Sequence, residues 1–172
     1  MKFTKTIVSL APLFTLLLAA HAVAETPVQI RLVDPLDEPE FYCLDLSGWG
    51  DHLRLEDPLQ GHTCKTRGAN DQMFSVEDGK VSVGDTGRCL EIAGSSKPLP
   101  GGAVLARTCS DSPMQALSLE QDGRITAGES GLCLAVGEQS ADASGPSHVW
   151  RVLTVEPCDS TDSELMTWQV GL

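Results

Sequence analysis

Apolar and polar residues alternate along most of this chain in runs of four to six residues, and turn-forming residues separate the runs every eight to twelve residues. Strands of this length, with turns at this spacing, are typical of an all-β domain. Two of the turns are Asp-Gly pairs, at 78–79 and 122–123, and each precedes an alternating run, as in a tight hairpin. No segment after residue 24 has helical periodicity over ten residues. The pattern therefore predicts about twelve short strands.

One β unit occurs three times in the sequence, and each copy is opened and closed by a cysteine. The opening cysteines begin Cys-Leu-Asp-Leu, Cys-Leu-Glu-Ile and Cys-Leu-Ala-Val and are 46 and 44 residues apart, while the closing cysteines are 45 and 49 apart. The two Asp-Gly turns are also 44 residues apart, so independent features share one period. Such a period indicates a repeated supersecondary unit. We define repeat one as residues 28–77, repeat two as 78–121 and repeat three as 122–172.

The first 24 residues have the pattern of a secretory signal peptide. Lys2 and Lys5 form a basic start, an apolar run follows, and the small residues at 22–24 suit a cleavage site. The alternative is a membrane anchor, but the run has about 14 residues where a spanning helix needs about 20. No segment of the mature chain, 25–172, is apolar enough to cross a bilayer. We therefore expect a single secreted or periplasmic domain over 25–172.

Cysteines in an exported chain usually form disulfides. Many pairings of six cysteines are open on paper, and the repeat favours those within each copy, namely Cys43–Cys64, Cys89–Cys109 and Cys133–Cys158. The alternative is a metal site, but the sequence has no Cys-x-x-Cys pair and no histidine cluster near the cysteines. We expect no metal and no other cofactor.

Apolar residues at matching positions of the three repeats form the predicted core, and three-fold closure would hide the edges of the strands. These positions are Leu44, Leu90 and Leu134, then Leu46, Ile92 and Val136, and finally Phe74, Leu117 and Trp168. Repeat three also has an insertion at 138–147, composed of small and polar residues, which we expect to be a flexible loop.

The mature chain is strongly acidic. The whole chain has a net charge of −12, and loss of the two leader lysines, with no leader acid, takes it to −14. Such a surface repels nucleic acid and anionic lipid, so we expect neither as a partner. The charge favours a neutral ligand or a basic protein partner.

The three copies, each with two cysteines and a later Gln-x-apolar motif, resemble the ricin B-chain-type β-trefoil lectins. The motifs are Gln72-Met73-Phe74, Gln115-Ala116-Leu117 and Met166-Thr167-Trp168, and each departs from the Gln-x-Trp of that family. The resemblance covers about residues 28–172. It implies an all-β chain folded as a β-trefoil of three repeats, each with an internal disulfide, and a non-catalytic carbohydrate-binding function.

In that family each repeat can hold one sugar in a shallow surface pocket. The resemblance assigns five residues of repeat one to such a site: Asp45, Gln60, His62, Asp71 and Gln72. Asp45 would accept hydrogen bonds from vicinal hydroxyls, and the two glutamine amides would both donate and accept. His62 stands where the family has a ring that stacks on the sugar. Trp49, in a glycine-flanked loop, either belongs to the core or borders the pocket.

Repeats two and three lack parts of this set. Repeat two has Glu91, Leu105 and Arg107 at the positions of Asp45, Gln60 and His62, and repeat three has Ala135, Thr154 and Glu156. We therefore expect one competent site, in repeat one, for a galactose-type monosaccharide bound at roughly millimolar affinity. We also expect Asp45→Ala to remove sugar binding while leaving the melting temperature nearly unchanged.

The alternative to a lectin is a protein-interaction trefoil, such as a toxin receptor-binding subunit or an enzyme inhibitor, which the acidic charge would fit. Catalysis is not expected, because the sequence shows no Ser/His/Asp arrangement, nucleophile elbow or metal triad. Asp45 and Glu91 occupy matching positions of different repeats, so the symmetry keeps them too far apart to act as an acid pair.

Overall fold

The computed structural model describes residues 26–84, 86–145 and 147–171, so the leader expected at 1–24 lies outside the described residues. Helical structure in the described part of the chain consists of five short 3₁₀ turns. Within it, no helix is long and apolar enough to cross a membrane. The strands are β1 (Ile30–Leu32), β2 (Tyr42–Asp45), β3 (Gln60–Thr63), β4 (Ser75–Glu77), β5 (Lys80–Val83), β6 (Arg88–Ile92), β7 (Gly102–Thr108), β8 (Leu117–Leu119), β9 (Ile125–Ala127), β10 (Leu132–Asp142), β11 (Val149–Pro157) and β12 (Trp168–Val170).

The first and fourth strands of each repeat form a closed ring. Antiparallel pairs β4–β5 and β8–β9 join consecutive repeats, and β12 pairs with β1 to close the ring, with Leu32 opposite Trp168. A short pairing between β5 and β8 and the isolated bridges Val28–Phe74 and Arg124–Thr167 complete it. The closed all-β arrangement predicted from the repeat is confirmed, and closure leaves the ring without a free edge.

The second and third strands of each repeat form a hairpin, and a disulfide lies within each repeat. The hairpins are β2–β3, β6–β7 and β10–β11. The predicted bridges Cys43–Cys64, Cys89–Cys109 and Cys133–Cys158 are confirmed, with Cα–Cα distances of 5.0, 4.9 and 5.1 Å.

The predicted core is also confirmed. All nine residues at the matching positions are at most 2% exposed, and Trp168 donates its indole N–H to the Leu134 carbonyl oxygen over 2.9 Å. Every repeat contributes equivalent side chains to one interior, because burial at a repeated position follows from the repeated strand register.

One expectation about local structure was wrong. The insertion at 138–147 is not simply a loop, because β10 continues to Asp142 and pairs with β11, with a bulge between Val136 and Ser140. Its backbone is therefore held by ladder hydrogen bonds, which do not depend on small or polar composition.

Candidate functional site

The floor of the candidate site is the sheet face shared by β2, β3 and β11. Asp45 pairs with Gln60, which pairs with Val152, and in the next row His62 pairs with Trp150. Directly paired residues of neighbouring strands point to the same face of a sheet. Three residues predicted from repeat one therefore share a sheet face with Trp150 and Val152 of repeat three, a contact between repeats that the sequence did not predict.

A cleft of about 850 Å³ lies over this floor. One wall is the loop at 47–58, which carries Trp49, and the other is the tip of the β10–β11 hairpin, which contributes Asp142 and His148. Trp49 is 68% exposed, so of the two alternatives for this residue the structure selects the border of the pocket.

The carboxylate of Asp45 lies beneath the cleft, fully buried. Its Oδ1 accepts from Gln60 Nε2 over 2.8 Å, and its Oδ2 accepts from Gln72 Nε2 over 2.9 Å and from Lys65 Nζ over 3.0 Å. Lys65 also donates to Asp71, so one ammonium bridges two acids. We call these five side chains the repeat-one network. Sequence reasoning missed Lys65; the only signal was a cation directly after the closing cysteine, in a repeat that places two acids near it.

Gln72 holds this network in place. Its Nε2 donates to Asp45 and to the Thr63 carbonyl oxygen over 3.0 Å, and its Oε1 accepts from the Lys65 backbone N–H and from Gln29, both over 2.8 Å. The side chain is 0% exposed and all its hydrogen-bonding positions are occupied, so it positions Asp45 and does not face the cleft.

Gln115 makes the same bonds in repeat two. Its Nε2 donates to Glu91 over 2.7 Å and to the Thr108 carbonyl oxygen over 3.0 Å, and its Oε1 accepts from the Ser110 N–H over 2.7 Å. In repeats one and two, the glutamine of the motif therefore joins the end of the repeat to its opening strand, whether or not the repeat has the full set of site residues.

The burial of the repeat-one network shifts two pKa values. Burial raises the pKa of Asp45, and this outweighs the opposing attraction of Lys65 and the hydrogen bond from Gln60. Burial lowers the pKa of Lys65, but the two carboxylates outweigh it and leave that pKa above its usual range. Lys65 is therefore cationic at neutral pH. Asp71 is 1% exposed, and its Oδ1 has no hydrogen-bond partner in the described residues.

His62 is less open than a stacking ring needs to be. It is only 8% exposed, and the ring of His148 meets it edge to face at 5.4 Å. Its Nδ1 lies 3.0 Å from the Thr63 carbonyl oxygen, which can only accept, so Nδ1 carries the proton. Trp49 is the more accessible ring of this cleft.

The residues of repeats two and three that match Asp45 and Gln60 in sequence also occupy matching places in their hairpins. Leu105 lies opposite Glu91, and Thr154 lies opposite Ala135, as Gln60 lies opposite Asp45. Repeat one alone sets an acid beside an amide at these positions.

The hairpin wall is fixed to repeat one by a buried arginine. Arg151, 5% exposed, donates to Asp37 and to the Gly137 carbonyl oxygen, both over 2.6 Å. Ser140 and Tyr42 also donate to Asp37, over 2.6 and 2.8 Å. The hydrogen bonds from Ser140 and Arg151 hold the pKa of Asp37 well below its usual range. We call this set the hairpin latch.

Comparisons with known proteins agree with this architecture. A family model described as "Ricin-type beta-trefoil lectin domain" matches residues 37–166. Among solved structures, the agglutinin from Abrus precatorius is 22% identical with a TM-score of 0.61, over 90% of this chain and 51% of that one. The chain thus spans about half of the agglutinin.

Two further structures have the same fold. The mdaA-1 domain is 17% identical with a TM-score of 0.58, over 90% of this chain and 97% of that one. The β-trefoil lectin of the Vibrio vulnificus hemolysin/cytolysin, with N-acetyl-D-lactosamine bound, is 16% identical with a TM-score of 0.55, over 86% and 94%. A search of curated proteins finds no match. The β-trefoil expected from the resemblance is confirmed.

Proposed function

Since this chain belongs to the family of ricin-type β-trefoil lectin domains, we propose that it is a non-catalytic carbohydrate-binding protein with one sugar site, in repeat one. One observation carries the proposal: the acid–amide pair of Asp45 and Gln60 lies at the floor of an open cleft of about 850 Å³. Pockets of this size, with a few convergent polar groups among apolar ones, are typical ligand sites. The sugar bound by the Vibrio vulnificus lectin supports the ligand class.

Four of the five expected residues take one of two roles in this proposal. Asp45, Asp71 and Gln72 are positioning residues, because their side chains are buried and bonded to one another through the network. Gln60 contacts the sugar, since one amide N–H is used by Asp45 while its Oε1 and second N–H have no side-chain partner among the described residues. Lys65 is the second contact, because its side chain is 15% exposed and its ammonium uses two of three N–H groups within the described part of the chain.

A sugar hydroxyl can both donate and accept, so it suits the free Oε1 of Gln60 and the free N–H of Lys65. His62 borders the same surface. The galactose type remains the proposed ligand on the strength of the family resemblance.

The absence of catalysis is also part of the proposal. Asp45 and Asp71 bind the same ammonium and are at most 1% exposed. A carboxyl group acting as general acid or base must reach a proton of the substrate, and both groups are instead turned towards Lys65.

We further propose that the chain is exported, to the outside of the cell or to the periplasm. Its three disulfides suit an oxidising compartment, and the leader pattern at 1–24 supplies the route.

A glycan array on the oxidised chain 25–172 tests the lectin. Gln60→Leu, which introduces the side chain type that repeat two has at this position, should abolish binding. Thr154→Ala, the corresponding position in repeat three, is the control and should bind like the parent. The proposal fails if the parent binds no glycan, or if Gln60→Leu binds normally.

A protein-binding role is the second candidate, and the acidic charge favours it. The chain carries 24 acidic and 12 basic residues. Binding of a basic protein should weaken steeply as salt rises from about 50 to about 500 mM, because salt screens exposed charges. Binding of a neutral sugar should barely change, so a salt titration at pH 7 of any ligand found separates the two roles.

A further inference from the structure

The cleft is larger than a single hexose requires. At about 850 Å³ it lies near the upper end of the range that drug-sized ligands fill. The polar contacts at Gln60 and Lys65 occupy only the part next to β2 and β3. The rest of the cleft extends between Trp49 and the β10–β11 hairpin, beyond the two side chains proposed to contact a first sugar.

Large apolar side chains are exposed in this outer part. Trp49 is 68% exposed and Val152 is 53% exposed, and both line the cleft, with the half-buried Trp150 between His62 and the hairpin wall. Scattered apolar residues on a surface need no explanation, but several in one concave site indicate a binding surface. Indole rings suit the apolar face of a pyranose.

The backbone of the loop at 47–58 holds Trp49 in its exposed position. Gly48 has φ +95°, and a Cβ there would lie 2.2 Å from the His52 carbonyl oxygen, so only glycine fits. The His52 N–H donates back to the Trp49 carbonyl oxygen over 2.9 Å, and the Arg54 N–H donates to Ser47 over 2.8 Å. The rings of His52 and Trp49 pack edge to face, with their centroids 5.8 Å apart. The indole is thus held in place while most of it faces solvent.

The opposite wall is equally well fixed. The hairpin latch ties Arg151 and Ser140 to Asp37 of repeat one. Along a strand, successive side chains alternate between faces, so this anchoring leaves Trp150 and Val152 on the cleft side. All three repeats have this hairpin, but the insertion of repeat three extends β10 to Asp142, and the extended tip gives the repeat-one cleft a wall that the three-fold repeat would not supply.

We propose that the cleft binds a neutral glycan of at least two sugar units, with the second unit between Trp49 and the β10–β11 hairpin. We call this position the outer subsite. The inference rests on the proposed lectin function and replaces the shallow monosaccharide pocket expected from the sequence. In the outer part of the cleft, Asp57 is paired with Arg54 over 3.2 Å, and Asp142 at the hairpin tip adds a further negative charge, so this part disfavours an acidic sugar.

Calorimetric titration of a monosaccharide and of a longer glycan that ends in it tests the outer subsite. D-galactose and N-acetyl-D-lactosamine are the first pair, followed by the best array ligand and its terminal sugar. The parent protein should bind the longer glycan at least about tenfold more tightly, which corresponds to about 1.4 kcal/mol. Trp49→Ala should remove most of that advantage and leave the monosaccharide Kd within about twofold. Leu99→Ala, an exposed apolar residue that does not line the cleft, is the control.

The outcomes separate the two proposals. Equal affinity of the parent for both members of every pair, or an unchanged preference in Trp49→Ala, would overturn the outer subsite and leave the lectin function standing. No binding of any sugar to the parent would overturn the lectin function, and the outer subsite with it. A circular dichroism melt of Trp49→Ala shows that a lost preference does not come from unfolding.

Discussion

Replacing Lys65 by methionine should destabilise the fold through the two acids it leaves behind. Lys65 Nζ lies 3.0 Å from Asp45 Oδ2 and is also bonded to Asp71, and the two carboxylate side chains are 0% and 1% exposed. Methionine has a similar length without a charge. The variant therefore keeps much of the packing and removes the cation from a pair of buried anions.

The size of the effect follows from the geometry. Opposite unit charges 3.0 Å apart attract by about 5 kcal/mol at the effective dielectric constant of about 20 that suits protein sites. Removing one partner of a buried ion pair costs about 3–5 kcal/mol in measured cases. Because the Lys65 side chain keeps 15% exposure, we expect the lower end, a loss of about 3 kcal/mol at pH 7.

The loss should depend on pH with a definite sign. The folded-state pKa of Asp45 is raised by burial, so folding prefers the protonated acid. For such a group, stability is fully present below the unfolded pKa of about 3.9 and is lost as pH rises through the folded value. Without Lys65 this loss grows, so the difference between variant and parent should be smallest near pH 4 and largest near pH 7. The raised pKa of Lys65 matters only above about pH 10.

Guanidinium unfolding of variant and parent at pH 4 and at pH 7 measures the loss of stability at each pH. Lys80→Met, at an exposed lysine of β5, is the matched control and should change stability by less than about 0.5 kcal/mol. A Lys65→Met loss below about 1 kcal/mol at pH 7, or an equal loss at both pH values, would refute the reasoning, since a buried pair of uncompensated acids requires both effects.

Three further predictions test the fold around the site. Gln115→Ala should cost about 1–3 kcal/mol in urea unfolding, because it leaves buried partners unsatisfied, yet leave sugar binding intact, whereas Gln72→Ala should lose both stability and binding. Gly61→Ala should lower stability by about 1–3 kcal/mol, since its Cβ would lie 2.6 Å from a valine methyl group, while Gly137→Ala, with a nearest contact of 3.8 Å, should not. Asp37→Ala should speed hydrogen exchange at 138–142 and leave β5 unchanged, and unaltered exchange there would show that the latch does not hold the hairpin.

Much of the fold could be predicted because its determinants are local and repeated. The disulfide partners lie 20 to 25 residues apart in sequence, within one repeat. Each core position recurs at the same place relative to an opening cysteine, so three copies of one weak signal reinforce each other. The strands around the Asp-Gly turn at 78–79 were also predictable from a local signal, because Asp-Gly is a sequence that favours tight hairpin turns. In the structure Asp78 and Gly79 both have positive φ, as such a turn requires.

The site could be predicted only in part, because it depends on contacts between repeats. Asp45 was expected to be an open sugar ligand whose loss leaves stability unchanged. Because Asp45 is fully buried and bonded to Gln60 and Lys65, we now predict that Asp45→Ala also lowers stability, since it would leave Lys65 with one carboxylate fewer. The second wall was also missed. Part of the insertion forms a strand because it pairs with β11, and β11 in turn pairs with β3, about 90 residues earlier in the sequence. Amino-acid composition does not reveal such distant pairing partners.

Repeat three shows that a repeat of this protein can fold without the repeat-one network. At the position of Asp45 it has Ala135, 1% exposed, which packs with Met166 and the Cys133–Cys158 bridge in an apolar cluster. The same strand register therefore folds without an acid, a glutamine or a lysine. Burying charges costs desolvation free energy that apolar packing avoids, and an apolar replacement of a buried ion network is often neutral or stabilising. The stability of the β-trefoil therefore does not explain why repeat one has an ion network. The network does fix the amide of Gln60 and the ammonium of Lys65 at the floor of the cleft. Positioning these two groups for a ligand would explain the network, and for this reason the network supports a binding site there.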